Sequence, residues 1–158
     1  MKILITGGAG FIGSAFIRKI LKTTDYKILN IDNLSYAGNL KNIPYGDSTN
    51  YEFLRLDICN FSDLQAAIDD FEPTRIINFA AESHVDRSID DSMTFINTNI
   101  IGTYNILEII RKNINLLTNP DFIFHHISTD EVYGDIGLND SPPSELSSYN
   151  PSSPYSAS

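Results

Sequence analysis

A chain of 158 residues is long enough for one domain with a real core, and 42% hydrophobic with 20% charged residues is a globular composition rather than a disordered one. A net charge of −9 argues against nucleic acid or an anionic membrane as partner, although backbone amides and a few local cations can still hold a nucleotide. The single cysteine, Cys59, excludes an intrachain disulfide and suits a reducing cytosol, and no apolar stretch approaches membrane-spanning length. The N-terminal apolar run is short and leads straight into glycines, unlike a secretory signal, so a cytoplasmic location is expected.

In chain order, Lys2-Ile3-Leu4-Ile5 reads as a short strand followed by a turn with glycines at 7, 10 and 13. One glycine allows the tight turn, and another lets backbone approach a pyrophosphate with no Cβ in the way. The last lets helix and strand pack closely, and the helix N-terminus offers free N–H groups to an anion. The helix is predicted from Phe11 to Lys22, with Ile12, Phe16, Ile17 and Ile20 inward and Arg18, Lys19 and Lys22 in water. A second strand, 27–31, ends at Asp32, 19 residues past Gly13, where a dinucleotide fold places the acid that binds the adenosine ribose. An acid there repels a 2′-phosphate, so NAD is favoured over NADP. The other reading of the same residues is a structural βαβ turn capped by Asp32.

Residues 33–39 are polar and loop-like, and a Pro/Gly-containing segment runs on to Asn50. Tyr51-Glu52-Phe53-Leu54 is a third strand candidate; Cys59, soon after it, reads as a small buried thiol. Ser62 or Asp63 can cap a helix that turns Leu64, Ala67, Ile68 and Phe71 inward and stops before Pro73. Residues 75–81 form a near-continuous apolar strand, as a central parallel strand should. A long helix is expected over 92–117, with Ile96, Ile100, Leu107, Ile110 and Ile114 on one stripe and Ile101 and Ile109 on the other side. A helix apolar on two faces covers the sheet with one and, most economically, a second subunit with the other. Gly102 within it costs about 1 kcal/mol relative to alanine, tolerable if a backbone comes close there. Asp121 to Ser128 is a fifth strand, in which His125 and His126 read as packing residues rather than metal ligands. From Gly134 to Pro154 an exposed loop is expected. Alternating strands and helices predict an α/β fold, a doubly wound parallel (Rossmann) sheet of order 3-2-1-4-5, over a single domain, residues 1–158.

Three clusters should meet at one crevice: the glycine turn, residues 80–88 and residues 128–134. Together with Tyr155-Ser156-Ala157-Ser158 they resemble the extended short-chain dehydrogenase/reductase superfamily in its nucleotide-sugar branch. Thr129-Asp130-Glu131 resembles the sugar-nucleotide 4,6-dehydratases rather than the 4-epimerases, which carry small residues in place of the acid pair. Residues 33–39 and 82–88 are most similar to the dTDP-glucose 4,6-dehydratase family, and the match runs through all 158 residues.

The resemblance implies an NAD-dependent lyase that oxidises the sugar at C4, eliminates water across C5 and C6, and returns hydride to C6, serving deoxysugar and rhamnose synthesis. It assigns Tyr155 to the C4 hydroxyl proton, Glu131 as base for the C5 proton, Asp130 as acid for the C6 hydroxyl, and Thr129 as a hydrogen-bonding partner near C4. Ionising a tyrosine near neutrality costs about 4 kcal/mol, which the family supplies with the nicotinamide ring and a lysine. The acid pair needs pKa values pushed apart, and it needs the strand to bend, because neighbours on a strand point to opposite faces.

For the cofactor, the resemblance implies Phe11 and Ile12 beside Gly7, Gly10 and Gly13. After Asp32 it implies Asn33, Leu34, Ser35, Ala37 and Gly38. It adds Asp57 and Ile58, then Phe79, Ala80 and Ala81, and finally Ser83, Thr98 and Tyr155. Substrate contacts are implied at Ser83, His84 and Asp86 as well as at 129–131. Read without the resemblance, Asp130-Glu131 is a solvated helix cap and His84 a structural histidine.

The family motif is Tyr-x-x-x-Lys, and the sequence carries it as far as Ser158. The 158 residues are therefore expected to be the N-terminal portion of such an enzyme, inactive or nearly so alone, with the substrate domain beyond. The family is dimeric through the long helix. Alternatives are a UDP- or CDP-sugar 4,6-dehydratase, a UDP-sugar 4-epimerase, or a non-catalytic dinucleotide-binding domain.

Overall fold

The computed structural model describes residues 1–44, 48–137 and 141–158; parts of the two expected loops, 45–47 and 138–140, lie outside the described residues. Five parallel strands form one sheet: β1 (Lys2–Thr6), β2 (Lys27–Asp32), β3 (Tyr51–Arg55), β4 (Arg75–Asn78) and β5 (Ile123–His126). Their order is β3-β2-β1-β4-β5, as expected for the doubly wound fold. Leu4 pairs with Leu29 on one side and Ile76 on the other, so β1 is central.

Alternation along β1 divides the core in two. Ile3 and Ile5 face Ile28 and Ile17, the latter from α1 (Phe11–Thr23). Leu4 faces the other layer, built from Leu64 and Ile68 of α2 (Phe61–Phe71), Ile106, Ile109 and Ile110, and Leu116. Ile17 is the buried centre of the α1 stripe, with Phe16 and Ile20 packed beside it. Ile12, expected inward, is 62% exposed. Arg18 is not simply solvated: Nη1 donates to the Asn42 carbonyl at 2.7 Å, pinning the following loop. The cap of α2 is Asn60, whose side chain accepts from Asp63 N, rather than Ser62 or Asp63. That helix ends at Glu72 in the left-handed region, just before Pro73.

The expected helix over 92–117 is broken. After α3 (Val85–Asp90) come α4 (Ser92–Phe95), a π-helical segment (Ile96–Gly102), α5 (Thr103–Lys112) and, past a break at Asn113, α6 (Ile114–Thr118). The wide turns shift the apolar register. Ile106, Ile109 and Ile110 are the buried stripe, whereas Ile96, Ile100, Leu107 and Ile114 are exposed. Ile109, read onto the outer face, belongs to the core. A Cβ on Gly102 would overlap the Ile58 side chain, so a side chain rather than a backbone comes close there. Cys59, expected buried, is partly exposed; its thiol donates to the Asn97 carbonyl, and burial with Asp57 raises its pKa to about 11.

Gly102→Ala should destabilise the fold by about 1–3 kcal/mol through overpacking against Ile58. Denaturant unfolding checks this, and Ile58→Val in the same chain should recover part of the loss.

Candidate active site in the crevice above β1 and β4

Gly7 follows β1 with φ +69, and its N–H donates to the Ile31 carbonyl at 2.8 Å. A Cβ there would lie 2.5 Å from the Ala80 nitrogen, so the turn after β1 presses directly on the chain leaving β4. At Gly13 a Cβ would lie 2.5 Å from the Gly7 carbonyl oxygen, which leaves glycine as the residue that lets α1 start this close to the turn. Gly10 caps α1 without a side-chain hydrogen bond, and Ser14 N is the first amide bonded back, to the Gly10 carbonyl. The amides of Phe11, Ile12 and Gly13 are thus left for a ligand, at the positive end of a 13-residue helix.

Asp32 is 8% exposed. One carboxylate oxygen accepts from Ala9 N at 2.9 Å, the other from Leu34 N at 2.8 Å. The structural and the ligand readings of Asp32 are therefore not exclusive: each oxygen keeps a lone pair after tying the glycine turn to the next loop.

A cleft runs over this turn. Of the residues expected to hold cofactor, Gly7, Gly10, Asp32, Asn33, Ser35, Ala37, Gly38, Asp57, Ile58, Phe79, Ala80, Ala81 and Thr98 line it. Phe11, Ile12, Gly13, Leu34, Ser83 and Tyr155 do not. Asn33 Nδ2 donates to Asp57 Oδ2 at 3.1 Å, joining the loops after β2 and β3, and backbone and side-chain hydrogen bonds hold the Asp57 carboxyl below its usual range despite burial.

A second cleft shares Ala80 and Ala81 with the first and includes Thr129, Tyr155, His126, Asn99 and Tyr149 in its lining. Thr129 caps a short 3-10 turn, Asp130–Tyr133, its hydroxyl accepting from Glu131 N at 3.3 Å. The chain bends at Asp130, which is the bend two adjacent carboxyls need to serve one ligand. Asp130 and Glu131 are exposed and neither lines a cleft, nor do Ser83, His84 and Asp86. Tyr155 is half-buried on α7 (Pro154–Ala157), started by a Ser153–Ser156 capping box, and its ring stands edge-on to Phe95. The loop before it folds back over the turn, Asn150 N donating to the Val132 carbonyl and Tyr149 packing on Tyr133.

The sequence reading missed Glu82, Asn99 and His126. Asn99 Oδ1 accepts from Glu82 N at 2.8 Å, and Nδ2 donates to the Glu82 carbonyl and to Ser158 Oγ. Its signal was available: a polar Asn97-Thr98-Asn99 run inside an apolar helix. His126, expected to pack, instead lines the second cleft on the outermost strand. The Thr6 hydroxyl donates to Asn78 Oδ1, which orients the amide so that Asn78 Nδ2 donates to His126 Nδ1 at 3.1 Å. Among the described residues no cluster of three His, Cys, Asp or Glu side chains could hold a metal, and no helix is long and apolar enough to cross a membrane.

The crevice thus combines a glycine turn at an uncapped helix start, an acid at the end of the next strand and, at the second cleft, Thr129 and Tyr155. Residues 4–158 match the family model described as GDP-mannose 4,6 dehydratase. The chain belongs to that family. Within the 4,6-dehydratases, a dTDP-glucose 4,6-dehydratase of Neisseria meningitidis serogroup B is 48% identical over 161 residues, covering 99% of this chain and 45% of that one. The dTDP-glucose 4,6-dehydratase of Bacillus anthracis, crystallised with NAD, superposes with a TM-score of 0.84 at 41% identity over 99% of this chain and 46% of its own. That of Streptomyces venezuelae, with NAD and TDP bound, gives 0.87 at 37% identity, covering 99% and 48%. The chain thus spans about half the length of the curated relatives it matches.

Burial and the neighbouring His125 hold the His126 imidazole below its ordinary value of 6.5, and an Nδ1 that accepts from Asn78 requires the neutral ring. Stability from this site is then present above 6.5 and is lost as pH falls below it, because the unfolded chain takes up the proton first. Urea midpoints measured from about pH 8 down to about pH 5.5 should fall, and His126→Asn should flatten that part of the slope.

Proposed function

We propose that the chain is the dinucleotide-binding domain, residues 1–158, of a dTDP-glucose 4,6-dehydratase that retains NAD. What supports this most is the uncapped start of α1 over the glycine turn, with Asp32 beside it. The free amides of Phe11 and Ile12 suit a pyrophosphate, the remaining lone pairs of Asp32 suit ribose hydroxyls, and its charge rejects a 2′-phosphate. NAD in that cleft supplies a hydride acceptor and, reduced, a hydride donor.

The chain's own residues divide the remaining work. Tyr155, at the second cleft, takes the proton from the C4 hydroxyl as C4 is oxidised, and Thr129 hydrogen-bonds that oxygen. Glu131 removes the C5 proton, now acidic beside the C4 carbonyl. Asp130 protonates the departing C6 hydroxyl, so that water leaves and the C5–C6 double bond forms. Supporting this is the 3-10 bend, which starts both carboxyls from one turn next to Thr129. Ser83, His84 and Asp86, exposed just beyond β4, are assigned to contact with the nucleotide sugar. The homologues' second half completes the substrate pocket.

The partner is a second copy of the chain. Met93, Ile100, Tyr104 and Leu107 leave an apolar stripe exposed along α4, the π-helical segment and α5, with Tyr104 at 56%. An apolar stripe of this kind is what a helix-to-helix interface buries.

Calorimetric titration of the chain should show NAD binding and NADP binding weaker on the order of tenfold or more; equal affinities would overturn the Asp32 assignment. In the chain extended by the half its relatives carry, dTDP-glucose should give the 4-keto-6-deoxy sugar. There, Asp130→Asn or Glu131→Gln should lower kcat by about 10²-fold with NAD binding unchanged. Light scattering should report a dimer that Tyr104→Glu converts to monomer.

A further inference from the structure

Tyr155 reaches the second cleft from α7, a helix of only four residues, and the backbone N–H groups at its start can be accounted for one by one. Pro154 has none. Ser156 N donates to Ser153 Oγ at 3.0 Å, the capping bond, and Ala157 N donates to the Ser153 carbonyl at 3.0 Å. The Tyr155 N–H remains, and its partner lies outside α7. It donates to Ser88 Oγ at 3.2 Å, across 67 residues of chain.

Ser88 is fully buried on α3. Its hydroxyl proton is committed to the Val85 carbonyl at 2.6 Å, one turn back in the same helix. That bond fixes the rotamer and leaves the oxygen as an acceptor, so α3 dictates where the Tyr155 N–H is held. The Val85 carbonyl already satisfies the hydroxyl as a donor; what the Tyr155 bond adds is a register between α3 and α7. The Tyr155 ring is held separately, edge-on to the buried Phe95 of α4 with centroids 6.2 Å apart. The tyrosine is therefore held at two points, its backbone by α3 and its ring by α4.

α3 also begins directly after Ser83 and His84 and contains Asp86, the segment assigned above to the sugar. One six-residue helix thus carries sugar contacts at its start and the tyrosine's seat one turn later. A displacement of about 1 Å between reacting groups can cost on the order of 10²-fold in rate, so this seat matters to proton transfer.

We propose that Ser88 is a positioning residue for Tyr155, setting through the Tyr155 N–H where the phenol meets the C4 hydroxyl. The inference rests on the tyrosine role proposed above. It adds that the placement comes from α3, through a residue outside the lining of the second cleft.

In the chain extended by the half its relatives carry, Ser88→Ala should lower kcat by about tenfold with KM little changed, since only the transition state feels a misplaced phenol. Ser88→Cys, close in size but a weaker acceptor, should fall between, and it carries the comparison should the alanine variant not fold. The deciding measurement is a double-mutant cycle. On the residual turnover of Tyr155→Phe, Ser88→Ala should cost nothing further, because its effect passes through the tyrosine. An equal loss in both backgrounds means a merely structural role and overturns the proposal, as does parent kcat in both Ser88 variants. In the 158-residue chain, amide hydrogen exchange at Tyr155 should be on the order of tenfold faster in Ser88→Ala than in the parent. Equal exchange overturns the proposal as well. Parent turnover in Tyr155→Phe overturns the tyrosine role itself, whatever Ser88 does.

Discussion

The Asp32 carboxylate holds the mouth of the crevice together. It is nearly buried, yet both of its oxygens accept backbone N–H groups, from Ala9 in the glycine turn and Leu34 in the loop beyond β2. A buried charge is tolerated when hydrogen bonds replace its water, and here those bonds come from two separate segments. With the Gly7 N–H on the Ile31 carbonyl and the Asn39 N–H on the Ala9 carbonyl, this group holds the glycine turn against β2 and the loop beyond it. In the function proposed above the same charge disfavours a 2′-phosphate, which would couple stability and selectivity at one residue.

A second tie acts at the other end of the crevice. Asn78, at the end of β4, accepts from the Thr6 hydroxyl and donates toward Thr103 and His126, linking β1, β4, β5 and α5 in one polar cluster. Asn99 does the same one layer out, joining the Glu82 backbone to Ser158 on α7. The proposed tyrosine thus stands on a helix whose placement is set by side-chain hydrogen bonds from the π-helical segment rather than by apolar packing alone. The π-helix accounts for this reach: its wider turn carries Thr98 to the first cleft and Asn99 to the second.

Much of the fold was legible from pattern. The strands were readable because parallel strands buried on both faces are continuous apolar runs, and their order followed from the alternation with helices. The glycine turn and Asp32 were readable because their spacing expresses a steric requirement within one βαβ unit. The helix over 92–117 was not, since periodicity assumes a constant 3.6 residues per turn and the π-helical segment breaks it. Ile109 therefore sits in the core and Leu107 outside, although both fit an apolar stripe on paper.

By itself the sequence determined what is local: which segments are strands, where glycine must stand, and that an acid closes β2. It also carried the family through short runs such as Thr129-Asp130-Glu131, whose residue types imply chemistry wherever they are placed. Only the tertiary structure decided what depends on distant segments meeting. It put Glu82 and His126 at the clefts, left Asp130 and Glu131 exposed at a bend, and bound both oxygens of Asp32 to amides. Burial and hydrogen-bond partnership are properties of contacts between residues far apart in the chain, and no local spacing encodes them.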